Sequence, residues 1–114
     1  MEKVIVRYKL KPGRAEENEE LIKGVFSQLL REGMEGLSYA SYKLEDGLTF
    51  MHIANYSGEG KAPLTGIETF KAFSAKMTDR CDELPVVNYV TEIGFYDFKH
   101  DALTLQVQPD NDQR

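Results

Sequence analysis

The sequence predicts an α+β domain in which strands and helices follow the order β-α-β-β-α-β. Three observations predict it. Short stretches alternate apolar with polar residues, the period of a half-buried strand. Two intervening stretches change to the i, i+3, i+4 spacing of an amphipathic helix. An Asp-Gly dipeptide stands between the second and third alternating stretches, where it joins them as a hairpin.

From Lys3 to Leu10, Val4, Val6, Tyr8 and Leu10 share one face while Lys3, Arg7 and Lys9 share the other; Lys11-Pro12-Gly13 ends this strand. The period then changes in RAEENEELIKGVFSQLLREG. Leu21, Ile22, Val25, Phe26, Leu29 and Leu30 form a helical stripe, and Gly33 is placed to end the helix. Leu37 to Glu45 and Leu48 to Tyr56 are strands joined by a two-residue type I′ turn at Asp46-Gly47. Ser57 to Pro63 reads as a loop. Thr65-Gly66-Ile67-Glu68 has the spacing of a capping box, and Ile67, Phe70, Phe73, Met77 and Cys81 continue at helical spacing until Pro85 stops the helix. Val86 to Phe98, rich in β-branched and aromatic residues, is the expected closing strand. In the tail, ALTLQV is a candidate short strand, and QPDNDQR is polar and expected to be disordered. The order is that of a ferredoxin-like sandwich, a four-stranded antiparallel sheet with helices on one face. The chain divides into one domain, residues 1–99, and a C-terminal extension, residues 100–114.

Both faces of the hairpin are apolar. One parity presents Leu37, Tyr39, Phe50, Ala54 and Tyr56; the other presents Ala40, Tyr42, Leu44, Met51 and Ile53. Exposing either set would leave a larger apolar patch than a monomer tolerates. A second copy is therefore expected on the helix-free face, giving a symmetric homodimer whose two sheets close a dimeric α/β barrel. Which face the helices cover stays open at this point.

Composition narrows the partners. Acidic residues outnumber Lys and Arg by 19 to 14, a net charge of −5 that does not attract phosphate backbones or anionic lipid. The apolar runs fall far short of the roughly 20 residues that span a bilayer. MEKVIVRYKL enters a strand without a signal-peptide layout. Cys81 is the only cysteine, which excludes an internal disulfide and a thiolate metal cluster. A cytoplasmic protein with no nucleic-acid or membrane partner is expected.

The hairpin register limits the chemistry. Counting back from the turn pairs Ser41 with His52, Tyr39 with Ala54, Leu37 with Tyr56, Ser38 with Asn55 and Tyr42 with Met51. His52 and Asn55 are three residues apart and point to opposite faces. His52 keeps company with Ser41, Tyr39, Tyr56 and Phe50, an aromatic wall with a few polar groups, the composition of a small-molecule site. His52 is the candidate catalytic residue, a neutral imidazole that accepts a proton from an acidic phenol or quinol. Tyr39, Ser41 and Tyr56 are the candidate substrate-binding residues. The competing reading is a core or dimer-interface histidine satisfied by Ser41 or backbone. Asn55 reads as a cross-strand partner of Ser38. Glu16, Glu17, Glu19 and Glu20 read as a solvated helix start, not a metal site. Cys81 reads as a core residue, Arg7 and Arg80 as surface residues, and His100 as part of the tail. No metal and no cofactor is expected.

The VRYKLKPG opening, the MEGLSYASYKLEDG passage into the hairpin, the FKAF run and the VVNYVTEIGFYDF close resemble the antibiotic-biosynthesis monooxygenase-like family of the dimeric α/β-barrel superfamily, over roughly residues 2 to 98. The resemblance implies the paired-sheet barrel and a cofactor-independent monooxygenase of a small aromatic, quinol- or phenol-like ligand. It departs where typical members place a Glu two residues before an aromatic: Ala54 and Tyr56 occupy those positions. KAPLTGIETF carries no helix histidine, and the chain has no Trp, so the haem-degrading branch is disfavoured. The alternatives are a non-catalytic ligand-binding or structural dimer module, or an isomerase or lyase on the same fold.

Overall fold

The computed structural model describes residues 2–59 and 63–98. The candidate strand at 102–107 and His100 lie outside the described residues. The elements are β1 (Glu2–Leu10), α1 (Ala15–Glu32), β2 (Leu37–Lys43), β3 (Thr49–Tyr56), α2 (Glu68–Ala75), α3 (Met77–Arg80) and β4 (Cys81–Tyr89), with a short 3₁₀ turn, Pro63–Gly66, before α2. The four strands form one antiparallel sheet in the order β2-β3-β1-β4, the ferredoxin-like arrangement.

The helices cover the even-numbered face of β1 and β3. Tyr8, Leu10 and Phe50 from the sheet, Ile22 and Val25 from α1, Phe73 from α2, and Leu64, Ile67 and Cys81 beside it make one buried cluster. His52 lies on this face, in the subunit core. The β2–β3 register is the one the turn predicts, with Ser41 opposite His52 and Ser38 opposite Asn55.

Four details differ from the expectation, each for a physical reason. The hairpin keeps its register but not its turn type. The reverse turn closes between the Leu44 carbonyl and the Gly47 N–H at 2.9 Å, with Gly47 left-handed at φ 77°. The Asp46 carboxylate accepts from the Leu48 and Thr49 N–H groups and the Thr49 hydroxyl, which fixes this wider loop. The α2 start is not a capping box. Thr65 sits in the 3₁₀ turn, and Gln28 reaches from α1 to accept from the Thr69 N–H at 3.0 Å and its hydroxyl at 2.6 Å.

The second helix also ends earlier than its apolar spacing predicts, at Ala75, and α3 ends at Arg80. Pro85 therefore lies inside β4. It is tolerated because β4 is an edge strand and the pairing slips between Arg7 and Lys9, where a missing N–H breaks no regular rung. The closing strand is Cys81–Tyr89 rather than 86–98. Its last bond to β1 runs from the Val90 N–H to the Lys3 carbonyl, and residues 91–98 stay out of the sheet.

Candidate functional site

A polar chain crosses the core between the sheet and the helices. At its inner end is Arg80, 1 % exposed, which closes α3. Its Nε donates to Asn18 Oδ1 on α1 at 3.1 Å, another guanidinium nitrogen donates to the Phe73 carbonyl, and the cation lies 5.5 Å from the Phe73 ring centre. Asn18 Nδ2 donates to the Tyr8 hydroxyl at 2.8 Å. That hydroxyl meets His52 Nε2, also at 2.8 Å. On the other side of the ring, His52 Nδ1 lies 2.6 Å from Ser41 Oγ and 3.1 Å from the Tyr39 hydroxyl. Five elements thus supply one connected network: α3, α1, β1, β3 and β2.

Aromatic packing fixes the imidazole. Tyr8 and Tyr39 lie nearly parallel to it with ring centres 5.4 and 5.9 Å away, and Phe73 meets it edge-on at 5.4 Å. His52 is only 4 % exposed. Burial pulls its pKa down to about 4, so the ring is neutral at physiological pH. Burial also holds the Tyr8 phenol well above its usual range, against the opposing effects of Asn18 and Arg80. Tyr39 is raised for the same reason, opposed by a hydrogen bond from Ser41.

The outer end of the chain meets the surface. Ser41 lines a cleft of about 160 Å³ between α1 and the edge strand β2, with Glu19, Lys23, Tyr42, Lys43 and Phe50. Tyr39 lines a second, about 200 Å³, walled by Phe26, Leu29 and Met34. The Phe26 and Tyr39 rings stack at 5.2 Å. His52 lines neither cleft, although Ser41 and Tyr39, which contact its Nδ1, each line one.

The structure thus brings His52, Ser41 and Tyr39 into contact. Tyr56 shares their face but stands four residues further along β3, its ring packed against Gly36 and Gly58. No described hydrogen bond or ring contact joins it to His52. Asn55 faces the other way, as the register requires, yet the expected bond to Ser38 does not form. Its Oδ1 is buried and has no partner among the described residues. The acidic run makes surface ion pairs: Glu17 with Arg14, Glu20 with Lys23, and Glu19 with Lys43.

Three members of the chain escape a reading of the sequence alone: Tyr8, which reads as packing; Arg80, expected at the surface; and Asn18, hidden among glutamates. A signal was present. Asn18 stands four residues before Ile22, and Arg80 seven after Phe73, so both polar residues fall in step with the apolar spacing of the sequence around them. A polar residue in step with such spacing is buried and needs a partner.

No protein-family model matches the sequence, and no curated protein matches it. Solved structures do match. An antibiotic biosynthesis monooxygenase superposes with a TM-score of 0.68 at 16% identity, over 82% of this chain and 100% of that one. Rv0793 from Mycobacterium tuberculosis gives 0.67 at 15% identity, over 84% and 98%. A conserved protein from Methanosarcina mazei Go1 gives 0.66 at 18% identity, over 78% and 89%. The chain has the fold of the antibiotic-biosynthesis monooxygenase-like proteins.

Proposed function

Starting from that shared fold, we propose that the chain is a small-molecule-binding homodimer of the dimeric α/β-barrel type that oxygenates a quinol- or phenol-like compound without a cofactor. One observation carries the reading: Ser41, whose Oγ lies 2.6 Å from His52 Nδ1, also lines an open cleft. A cavity of roughly 150 Å³ is enough for a single aromatic ring, and the Ser41 cleft offers about 160 Å³. In this reading Ser41 contacts the compound's hydroxyl, Tyr39 supports it from the neighbouring cleft, and His52 governs the proton through the Ser41 hydroxyl. The ionised, electron-rich aromatic then supplies the electrons itself: one atom of dioxygen enters the ring as a carbonyl, giving the quinone, and the other leaves as water. The solved structure described as an antibiotic biosynthesis monooxygenase supports the reaction class.

The homodimer is supported by the helix-free face. Ile5, Met51 and Ile53 lie there on adjacent strands. Beyond β4 the chain presents Ile93, Tyr96 and Phe98, each more than four-fifths exposed, more apolar surface than a monomer usually carries.

A second reading, binding without turnover, is favoured by the satisfaction of both His52 nitrogens by protein hydroxyls. Oxygen consumption with a panel of quinols and phenols separates the two, with wild type set against His52→Ala and Ser41→Ala. Uptake lost in both variants supports the oxygenase. Compounds that bind without uptake support the second reading, and neither binding nor uptake sinks both.

A further inference from the structure

We propose that Arg80, acting through Asn18 and Tyr8, holds His52 as the Nδ1–H tautomer, so that the Ser41–Tyr39 end of the chain donates hydrogen bonds and takes a phenol-like ligand as its phenolate. The location of the ligand rests on the reading above; the tautomer does not.

A proton inventory along the chain fixes the tautomer. A guanidinium has donors only, so Arg80 commits the Asn18 oxygen as an acceptor. The Asn18 amide must then turn its NH₂ to Tyr8, and the Tyr8 oxygen accepts. The single Tyr8 proton needs an acceptor of its own. The one described for it, besides the donor Asn18, is His52 Nε2. A hydroxyl proton left without a partner in this core is unfavourable, so Nε2 accepts. A neutral imidazole that accepts at Nε2 carries its hydrogen at Nδ1, and Nδ1–H donates to Ser41 Oγ. Ser41 and Tyr39 keep two hydroxyl protons between them; one serves the bond between the two hydroxyls and the other is left for a group outside.

Every donor therefore points from Arg80 toward the Ser41 cleft. The charge distribution agrees. No carboxylate is among the groups that the buried Arg80 contacts in the described residues. At the cleft, Lys43 pairs with Glu19 at 2.8 Å, and Lys23, paired with Glu20, stands one turn further along α1. The other titratable groups around the ring, Tyr8 on β1 and Tyr39 on β2, are neutral phenols. An oxyanion at Ser41 completes a chain of donors, whereas a neutral ligand hydroxyl has as acceptors only the remaining lone pair of Ser41 and the Glu19 carboxylate already paired with Lys43.

The test is the imidazole ring pattern of ¹⁵N-labelled protein at neutral pH, with the His52 signals assigned by comparison with His100→Gln. Wild type is expected to show Nδ1–H. Asn18→Asp keeps the Arg80 contact but turns the donor amide into an acceptor. Tyr8 then donates to the introduced carboxylate and accepts from the ring, which switches to Nε2–H. An Nε2–H ring in wild type, or no switch in Asn18→Asp, overturns the proposal. Should that variant not fold, Tyr8→Phe removes the proton held against Nε2. Both tautomers then appear, and a ring still wholly Nδ1–H overturns the role of Tyr8.

The ligand form is tested with 4-nitrophenol, whose ionisation is read by absorbance. Bound to wild type it is expected to ionise about one pH unit below its free value, a tenfold preference for the anion, and to lose that shift in Asn18→Asp. Ionisation at or above the free value overturns the phenolate preference. If 4-nitrophenol does not bind while the ring is Nδ1–H, the ligand site fails and the tautomer assignment stands.

Discussion

The phenol oxygen of Tyr8 and Nε2 of His52 meet at 2.8 Å diagonally across the β1–β3 pair, with their rings stacked at 5.4 Å. This contact joins the helix side of the core, where Asn18 and Arg80 lie, to the strand side that reaches the surface at Ser41. It makes His52 at once a packing residue and the middle member of a polar chain.

Stability should fall in mild acid because of His52. Its folded pKa, about 4, lies below the ordinary value of 6.5. The unfolded chain therefore takes up a proton that the folded ring refuses. The contribution is fully present above pH 6.5 and is lost as pH falls from there through about 4, by roughly 3 kcal/mol in all. Urea unfolding at pH 7.5, 5.5 and 4.5 measures it. A slope no steeper than that of His52→Gln over this range would contradict the buried, neutral ring.

Tyr8→Phe removes one oxygen and strands two buried groups, Asn18 Nδ2 and His52 Nε2. A cost of about 1–3 kcal/mol is expected. Tyr42, more than half exposed on β2, should tolerate the same change within about 0.5 kcal/mol. Equal effects in urea titrations would mean that the Tyr8 hydroxyl holds nothing.

Gln28→Ala should loosen the second helix rather than the first. Gln28 accepts both Thr69 donors at the start of α2. Its loss leaves that helix start uncapped, at about 1–2 kcal/mol. Amide exchange should rise across α2 while α1 stays protected.

Gly47→Ala tests the hairpin. At φ 77° a Cβ is strained even where space is open, as it is here. About 1 kcal/mol is expected, seen as a lowered melting temperature with an unchanged far-ultraviolet spectrum.

Ile53→Asp places a charge at the centre of the helix-free face. Light scattering should report twice the chain mass for wild type and one chain mass for the variant. A wild-type monomer would remove the basis for the barrel.

Much of the fold was legible locally. The alternation in β1 and the hairpin places His52 and Asn55 on opposite faces, because a strand has a period of two and the hairpin's register sets who stands opposite whom. The Ser41–His52 and Ser38–Asn55 pairs follow from the same count. Local reading failed where a distant group decided the outcome. The second helix shows apolar spacing as far as Cys81, yet Cys81 pairs with Leu10 as the first residue of β4. The capping box at Thr65 was displaced by Gln28, 41 residues from the Thr69 it bonds.

By itself, the sequence determined the element order, the hairpin register and the separation of His52 from Asn55, since each depends on neighbours a few residues apart. Tertiary structure alone decided which apolar sheet face the helices took, and hence that His52 lies in the subunit core. It also decided that Tyr8, Asn18 and Arg80 stand in line behind it. Either face could satisfy the hydrophobic pattern. The choice between them rests on packing and polar pairing across the whole domain, as in the bond from Arg80 to Asn18, 62 residues apart, where each buried polar group is tolerable only because the other is there.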